Sequence, residues 1–148
     1  MIRFIIAILF VVLFLLFSYI LFIIEWIVGK INKRAKDVSS LRIVQWAFKV
    51  VLWISGVKLT VIGKENMPKE AALYVGNHRS FFDILIAYVQ CENLTGFVSK
   101  DTMNKVPSFR VWMRYLYCLF LDRKDIKQGM KTILQAIEYV KQNVSIFI

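Results

Sequence analysis

Hydrophobic and polar positions divide the chain into three stretches with different rhythms. From Phe4 to Ile24 there is no rhythm, only apolarity: 21 residues carry no charge, and 18 of them are Leu, Ile, Phe or Val. A helix of that length spans roughly 31 Å, enough to cross a hydrocarbon core of about 30 Å. A secretory signal has a shorter apolar region closed by a small-residue cleavage site, whereas Glu25-Trp26 follows this run directly. The stretch is therefore expected to be a transmembrane anchor over residues 1–30. Arg3 alone precedes the span, while Lys30, Lys33, Arg34, Lys36 and Arg42 follow it. The positive-inside rule then predicts a single-pass anchor in a membrane of inner or endoplasmic-reticulum type, with the remainder on the cytoplasmic side.

Residues 31–57 change character. Arg42, Gln45 and Lys49 recur at steps of three and four and share one helical face, with Trp46, Trp53, Ile43 and Val50 on a neighbouring one. This pattern fits an amphipathic helix lying in the headgroup layer, reached through a linker at 30–40. A core helix with a solvated stripe is the alternative, because both present the same periodicity.

From residue 58 short β-branched or apolar runs alternate with helical periods. Strands are expected at KLTVIG (58–63), AALYV (71–75), TGFVSK (95–100), LFLD (119–122) and VSIFI (144–148). Helices are expected at FFDILIAYVQ (81–90), VPSFRVWMRYLY (106–117) and IKQGMKTILQAIEYVKQ (126–142). AALYV is nearly continuous in its apolarity, as in a strand buried on both faces. The alternation predicts an α/β domain over 58–148, with a mainly parallel sheet covered by helices.

Composition narrows the partners. The chain has 148 residues, 58% hydrophobic and 20% charged, with a formal charge of +10. A basic surface attracts nucleic acid, anionic lipid or a phosphorylated substrate. The apolar excess favours lipid, and the chain lacks a basic helix or an aromatic RNA-binding motif, so nucleic acid is not an expected partner. Cys91 and Cys118 stand far apart in apolar settings and read as buried free thiols; no metal site is expected.

GNHRSFFD (76–83) follows AALYV and contains the sole histidine, His78, five residues before Asp83. In parallel sheets, chemistry gathers where strands end and the chain turns into the next helix. With His78 in the loop and Asp83 in the first helical turn, the carboxylate could orient the imidazole as a general base. Ser80-Phe81-Phe82-Asp83 is also a capping box, which accounts for Asp83 without any histidine. Spacing leaves both readings open.

The ordered motifs carry more than the pair does. Asn77, His78, Ser80 and Asp83 match N-H-x-S-x-x-D; FVSKDTMNKVPSF (97–109) supplies Lys100 and Pro107; and LFLDR (119–123) is a hydrophobic strand ending in Asp-Arg. Behind an N-terminal anchor, this order resembles the glycerolipid acyltransferases of the lysophosphatidic acid acyltransferase type, over roughly residues 58–148. One departure is Asp101-Thr102-Met103, where that family usually has an acidic residue followed by leucine. The family's F-P-E-G-T-R motif, expected directly after VSIFI, has no counterpart in these residues, so the 148 residues are expected to be an N-terminal part with weak or no activity.

The resemblance implies acyl transfer to a lysophospholipid hydroxyl, from 1-acylglycerol 3-phosphate to phosphatidic acid, in phospholipid biosynthesis. It implies His78 as base and Asp83 as its orienter, with Arg123, Lys100, Asn77, Ser80 and Arg79 on the substrate side. It implies an acyl-thioester donor, acyl-CoA or acyl-carrier protein, as co-substrate and no cofactor. The partners are then a phospholipid membrane, a lysophospholipid acceptor and that donor. A non-catalytic, membrane-anchored lipid-binding or adaptor domain is the alternative.

Overall fold

A computed structural model describes residues 1–77, 80–121 and 125–148. The chain forms two compact units, one of Met1–Met67 with His78–Cys91 and one of Pro68–Asn77 with Glu92–Ile148.

The first unit is helical. α1 (Ile2–Ile31) and α2 (Lys33–Ser55) form a hairpin, and α3 (Phe81–Gln90) packs on α2. The expected linker at 30–40 is reduced to one residue. Asn32 is extended, and its side chain accepts the Ala35 N–H at 3.1 Å, capping α2 at Lys33. No glycine or proline lies between 33 and 40 to stop the helix. α2 ends at Gly56, whose φ of 74° permits the Val57 N–H to reach the Leu52 carbonyl at 3.0 Å. The Arg3 guanidinium lies against Gly56, placing a cation at the carbonyl end of α2.

Most large side chains of α1 are exposed, as hydrocarbon contact requires, and both α1 and α2 are long and apolar enough to cross a membrane. The hairpin seam holds a buried carboxylate. Glu25 accepts hydrogen bonds from Ser39 Oγ at 2.6 Å and Ser40 Oγ at 3.1 Å. The polar stripe expected on α2 is partly inward: Gln45 is buried and its Nε2 donates to the Tyr88 and Cys91 carbonyls at 3.0 and 2.7 Å. These carbonyls lie at the end of α3, where the helical ladder runs out; Tyr88 also accepts the Cys91 N–H at 3.2 Å. Trp46 and Trp53 point outward. Val51, Leu52 and Leu85 form the core where the helices meet, with Phe10, Phe48 and Ile86 around them.

The second unit is a four-stranded parallel sheet. Its strands are β1 (Leu73–Tyr74), β2 (Thr95–Lys100), β3 (Leu119–Leu121) and β4 (Ser145–Phe147), in the order β1-β4-β2-β3. α4 (Pro107–Tyr115) connects β2 to β3, and α5 (Ile126–Lys141) connects β3 to β4. The expected alternation is thus present with two differences. KLTVIG forms no strand: residues 58–62 are exposed, and Gly63 at φ 78° opens a short 3-10 turn at Lys64–Asn66. β-Branched residues favour extension, but a strand also needs a neighbour to pair with. β1 is not buried on both faces, because it is the edge strand beside β4, and Leu73 and Val75 remain exposed.

Ile146 is fully buried at the centre of the sheet. Ser145 Oγ accepts the Ala72 N–H at 3.1 Å, and the Ser145 N–H donates to the Leu94 carbonyl at 2.8 Å. Phe147 stacks on Phe97 at 4.8 Å and on Tyr74 at 6.2 Å, forming an aromatic row across three strands. Gly96 in β2 carries no side chain because a Cβ there would meet the backbone of Tyr117, whose carbonyl carbon would lie 2.7 Å away. Backbone on both sides leaves nothing flexible to give way. Gly96→Ala is therefore expected to destabilise this unit by about 1–3 kcal/mol, read as a fall in the denaturant midpoint at unchanged slope.

Candidate active site

The carboxyl edge of a parallel sheet gathers the ends of all its strands. Tyr74, Phe147 and Phe97 lie in register across β1, β4 and β2. Asn77 and Lys100 each lie three residues further along, so both reach the same edge, on strands two spacings, or about 10 Å, apart. Both are exposed. Lys100 also pairs in register with Leu121 of β3, two residues before Arg123 in the sequence.

Gly76 leads into this edge. Its N–H donates to the Ile148 carbonyl at 3.0 Å, extending the ladder beyond β1. A Cβ at Gly76 would lie 2.5 Å from the Phe147 ring, so any larger residue there would have to displace that ring. Sequence reasoning quoted Gly76 without giving it this role. The available signal was a glycine between a strand and a polar loop, which marks close backbone approach.

In the first unit, Ser80 is the N-cap of α3 at φ −137° and ψ 163°. The capping box is complete: the Ser80 side chain takes the Asp83 N–H, and Asp83 Oδ2 accepts the Ser80 N–H at 2.8 Å. The local reading of S-F-F-D is thereby met, and the carboxylate is fixed at the positive end of the helix dipole. A carboxylate has about four acceptor positions, so the capping bond does not exhaust it. His78, Arg79 and Arg123 lie outside the described residues. The structure thus brings Ser80 and Asp83 together on α3, and Asn77 and Lys100 to one sheet edge.

Neither thiol is poised as a nucleophile. Cys91 Sγ donates to the Ala87 carbonyl at 3.3 Å. Cys118 is half-buried as a residue, yet burial pushes its thiol up from 9.0 to about 11, opposed in part by the Phe97 N–H donated to sulfur at 3.4 Å. Burial, then the neighbouring Cys118, also raises Tyr139. Among the described residues no group of three His, Cys, Asp or Glu is placed to hold a metal.

The family model described as Acyltransferase matches residues 58–148. A probable 1-acyl-sn-glycerol-3-phosphate acyltransferase of Mycoplasma pneumoniae is 32% identical over 100 residues, covering 64% of this chain and 37% of that protein. The 1-acyl-sn-glycerol-3-phosphate acyltransferase of Borreliella burgdorferi is 26% identical over 99 residues, covering 66% and 40%. That of Saccharomyces cerevisiae is 26% identical over 96 residues, covering 65% and 32%. The matched part of the chain thus spans two fifths or less of each of these relatives. No solved structure matches significantly.

Two outcomes are expected. Ser80→Ala removes one half of the capping box and should cost about 0.5–2 kcal/mol, seen as a lowered thermal midpoint. For Cys118, whose folded pKa is raised, the stabilisation is complete below pH 9.0 and is lost as pH rises through about 11. Its alkylation should accordingly be slow at pH 8 and accelerate over that same interval, which a rate-against-pH series with iodoacetamide measures. Because the acyltransferase match runs over more than half its length, the chain belongs to the acyltransferase family.

Proposed function

We propose that this chain carries the acyl-transfer centre of an enzyme that acylates the free hydroxyl of 1-acylglycerol 3-phosphate, forming phosphatidic acid. The observation that carries the reading is the family match over 58–148, joined to relatives that bear this activity in their names. The complete N-H-x-S-x-x-D motif at 77–83 supports it, with the motif's serine and aspartate forming the cap of α3. In this reading residues 1–30 anchor the chain, 31–57 lie against the bilayer, and 58–148 form part of a glycerolipid acyltransferase domain on the cytoplasmic side.

His78 takes the proton of the acceptor hydroxyl while Asp83 holds the imidazole in the required tautomer. The oxygen attacks the carbonyl carbon of an acyl-CoA or acyl-carrier protein thioester. The tetrahedral adduct collapses, the carbon–sulfur bond breaks, and the proton held by His78 passes to the departing thiolate. Arg123 meets the acceptor phosphate as a bidentate fork, with Lys100 or Arg79 adding charge. Asn77 and Ser80 shape the loop that presents the base. Long-chain substrate and product require a site at a bilayer surface, which the apolar N-terminal helices support.

The alternative, a non-catalytic lipid-binding domain, draws on one observation: the helix cap accounts for Asp83 without chemistry. Asp83→Asn separates the two, because the amide oxygen can still accept the Ser80 N–H. Expressed from the natural reading frame, His78→Ala and Asp83→Asn should each lower phosphatidic acid formation by about 10²–10⁴-fold, with the thermal midpoint of Asp83→Asn little changed. Near-normal turnover by His78→Ala would remove the histidine from the mechanism. Activity retained by Asp83→Asn alone would confine Asp83 to its capping role.

A further inference from the structure

α5 keeps its most apolar side away from the sheet. Its inward side is mixed: Thr132 is its one buried residue, with Gln128, Gly129, Ala136, Tyr139 and Val140 half-buried around it. Gln128 Nε2 donates to the Phe120 carbonyl of edge strand β3 at 2.6 Å, and the Thr132 hydroxyl is shared between that carbonyl at 3.2 Å and the Gln128 carbonyl at 3.0 Å. Its apolar stripe faces outward. Ile126, Met130, Ile133, Leu134 and Ile137, at steps of four, three, one and three, are 84%, 61%, 61%, 58% and 47% exposed. Scattered exposed apolar residues are ordinary, but five on one face of one helix form a patch.

The flank of the stripe is basic. At 100° per residue, Lys127 and Lys131 follow the apolar arc on one side with the acidic Glu138 between them, while Lys141, in the last turn, falls within the arc and meets Glu138 at 3.0 Å. The helix ends are firmly set. Asp125 Oδ1 accepts the Gln128 N–H at 3.1 Å, and Asn143, at φ 64°, lets the Val144 N–H reach the Tyr139 carbonyl at 2.9 Å. Tyr139 packs edge-on against Tyr117 at 5.2 Å. The outward orientation of the stripe is thus locked by polar anchors at Phe120, caps at both ends and one aromatic contact.

A narrow apolar arc flanked by lysines, on a helix of low overall hydrophobicity, is the composition that lies in a headgroup layer. We infer that α5 is a second membrane-contacting element, which sets Ile126, Met130, Ile133, Leu134 and Ile137 into the surface of an anionic bilayer with Lys127 and Lys131 against its headgroups. The net charge of the helix selects this occupant: three lysines against Glu138 leave it basic, so another copy of the same face is disfavoured, whereas anionic lipid complements it. This contact is separate from the apolar N-terminal helices and does not depend on the acyl-transfer reading.

The test uses the full chain in single-copy nanodiscs. In a Cys91→Ser, Cys118→Ala background, an environment-sensitive fluorophore is placed at Ile133→Cys, with Gln135→Cys on the other side of the lysine flank as the control. In discs with about one-third phosphatidylglycerol, the Ile133 label should be shielded from iodide and quenched by lipid-borne nitroxide near the headgroups, while the Gln135 label stays open to iodide. Should that background fail to fold, peroxide oxidation of Met130 in the unsubstituted chain gives the readout. It should be at least about threefold slower in those discs than in discs of phosphatidylcholine alone. An Ile133 label open to iodide, shielding without nitroxide quenching (cover by protein), or equal Met130 oxidation in both discs would overturn the inference.

Discussion

The candidate site of the second unit depends on the insertion of β4 between β1 and β2. These two strands do not pair with each other; each pairs with β4, and the row Tyr74, Phe147, Phe97 fixes their relative register. Because side chains alternate faces along a strand, a slip of one residue would turn that row to the opposite side of the sheet. Ser145 reinforces the register from both sides, its hydroxyl taking the Ala72 N–H and its own N–H going to Leu94. Asn77 and Lys100 share an edge because a strand distant from both in sequence holds their strands level.

Much of this architecture was legible in the chain and part was not, for physical reasons. Strands at 71–75, 95–100, 119–122 and 144–148 and the helices between them follow from local period and length, and the parallel arrangement follows from the alternation. The capping box at Ser80 and Asp83 is likewise local chemistry. Features that depend on a partner were not legible. KLTVIG has strand composition and no neighbour. The helical start at Lys33 depends on Asn32 turning its side chain back to Ala35. Gln45 repeats with Arg42 and Lys49 as if solvated, yet it is buried against the end of α3. Periodicity shows that α5 is two-sided without revealing that its most apolar side is left outward.

The motif at 77–83 includes the start of α3. Gly76 lets the chain cross the Phe147 ring, and Ser80 starts α3 while Asp83 closes the cap. Residues that organise a loop locally also fix the direction in which a carboxylate points. The capping bond fixes the Asp83 carboxylate and leaves it further acceptor positions, so the cap does not exclude a second partner.

Glu25 bears on the order of assembly. A carboxylate 1% exposed between apolar helices is tolerated because both serine hydroxyls that satisfy it come from α2. Left alone in hydrocarbon, α1 would carry an unmatched acid, at a cost of several kcal/mol. Sliding α2 by one turn, about 5.4 Å, would strip both donors away. The two helices are consequently expected to associate with their offset already chosen, so that the carboxylate acts as an index mark for the hairpin.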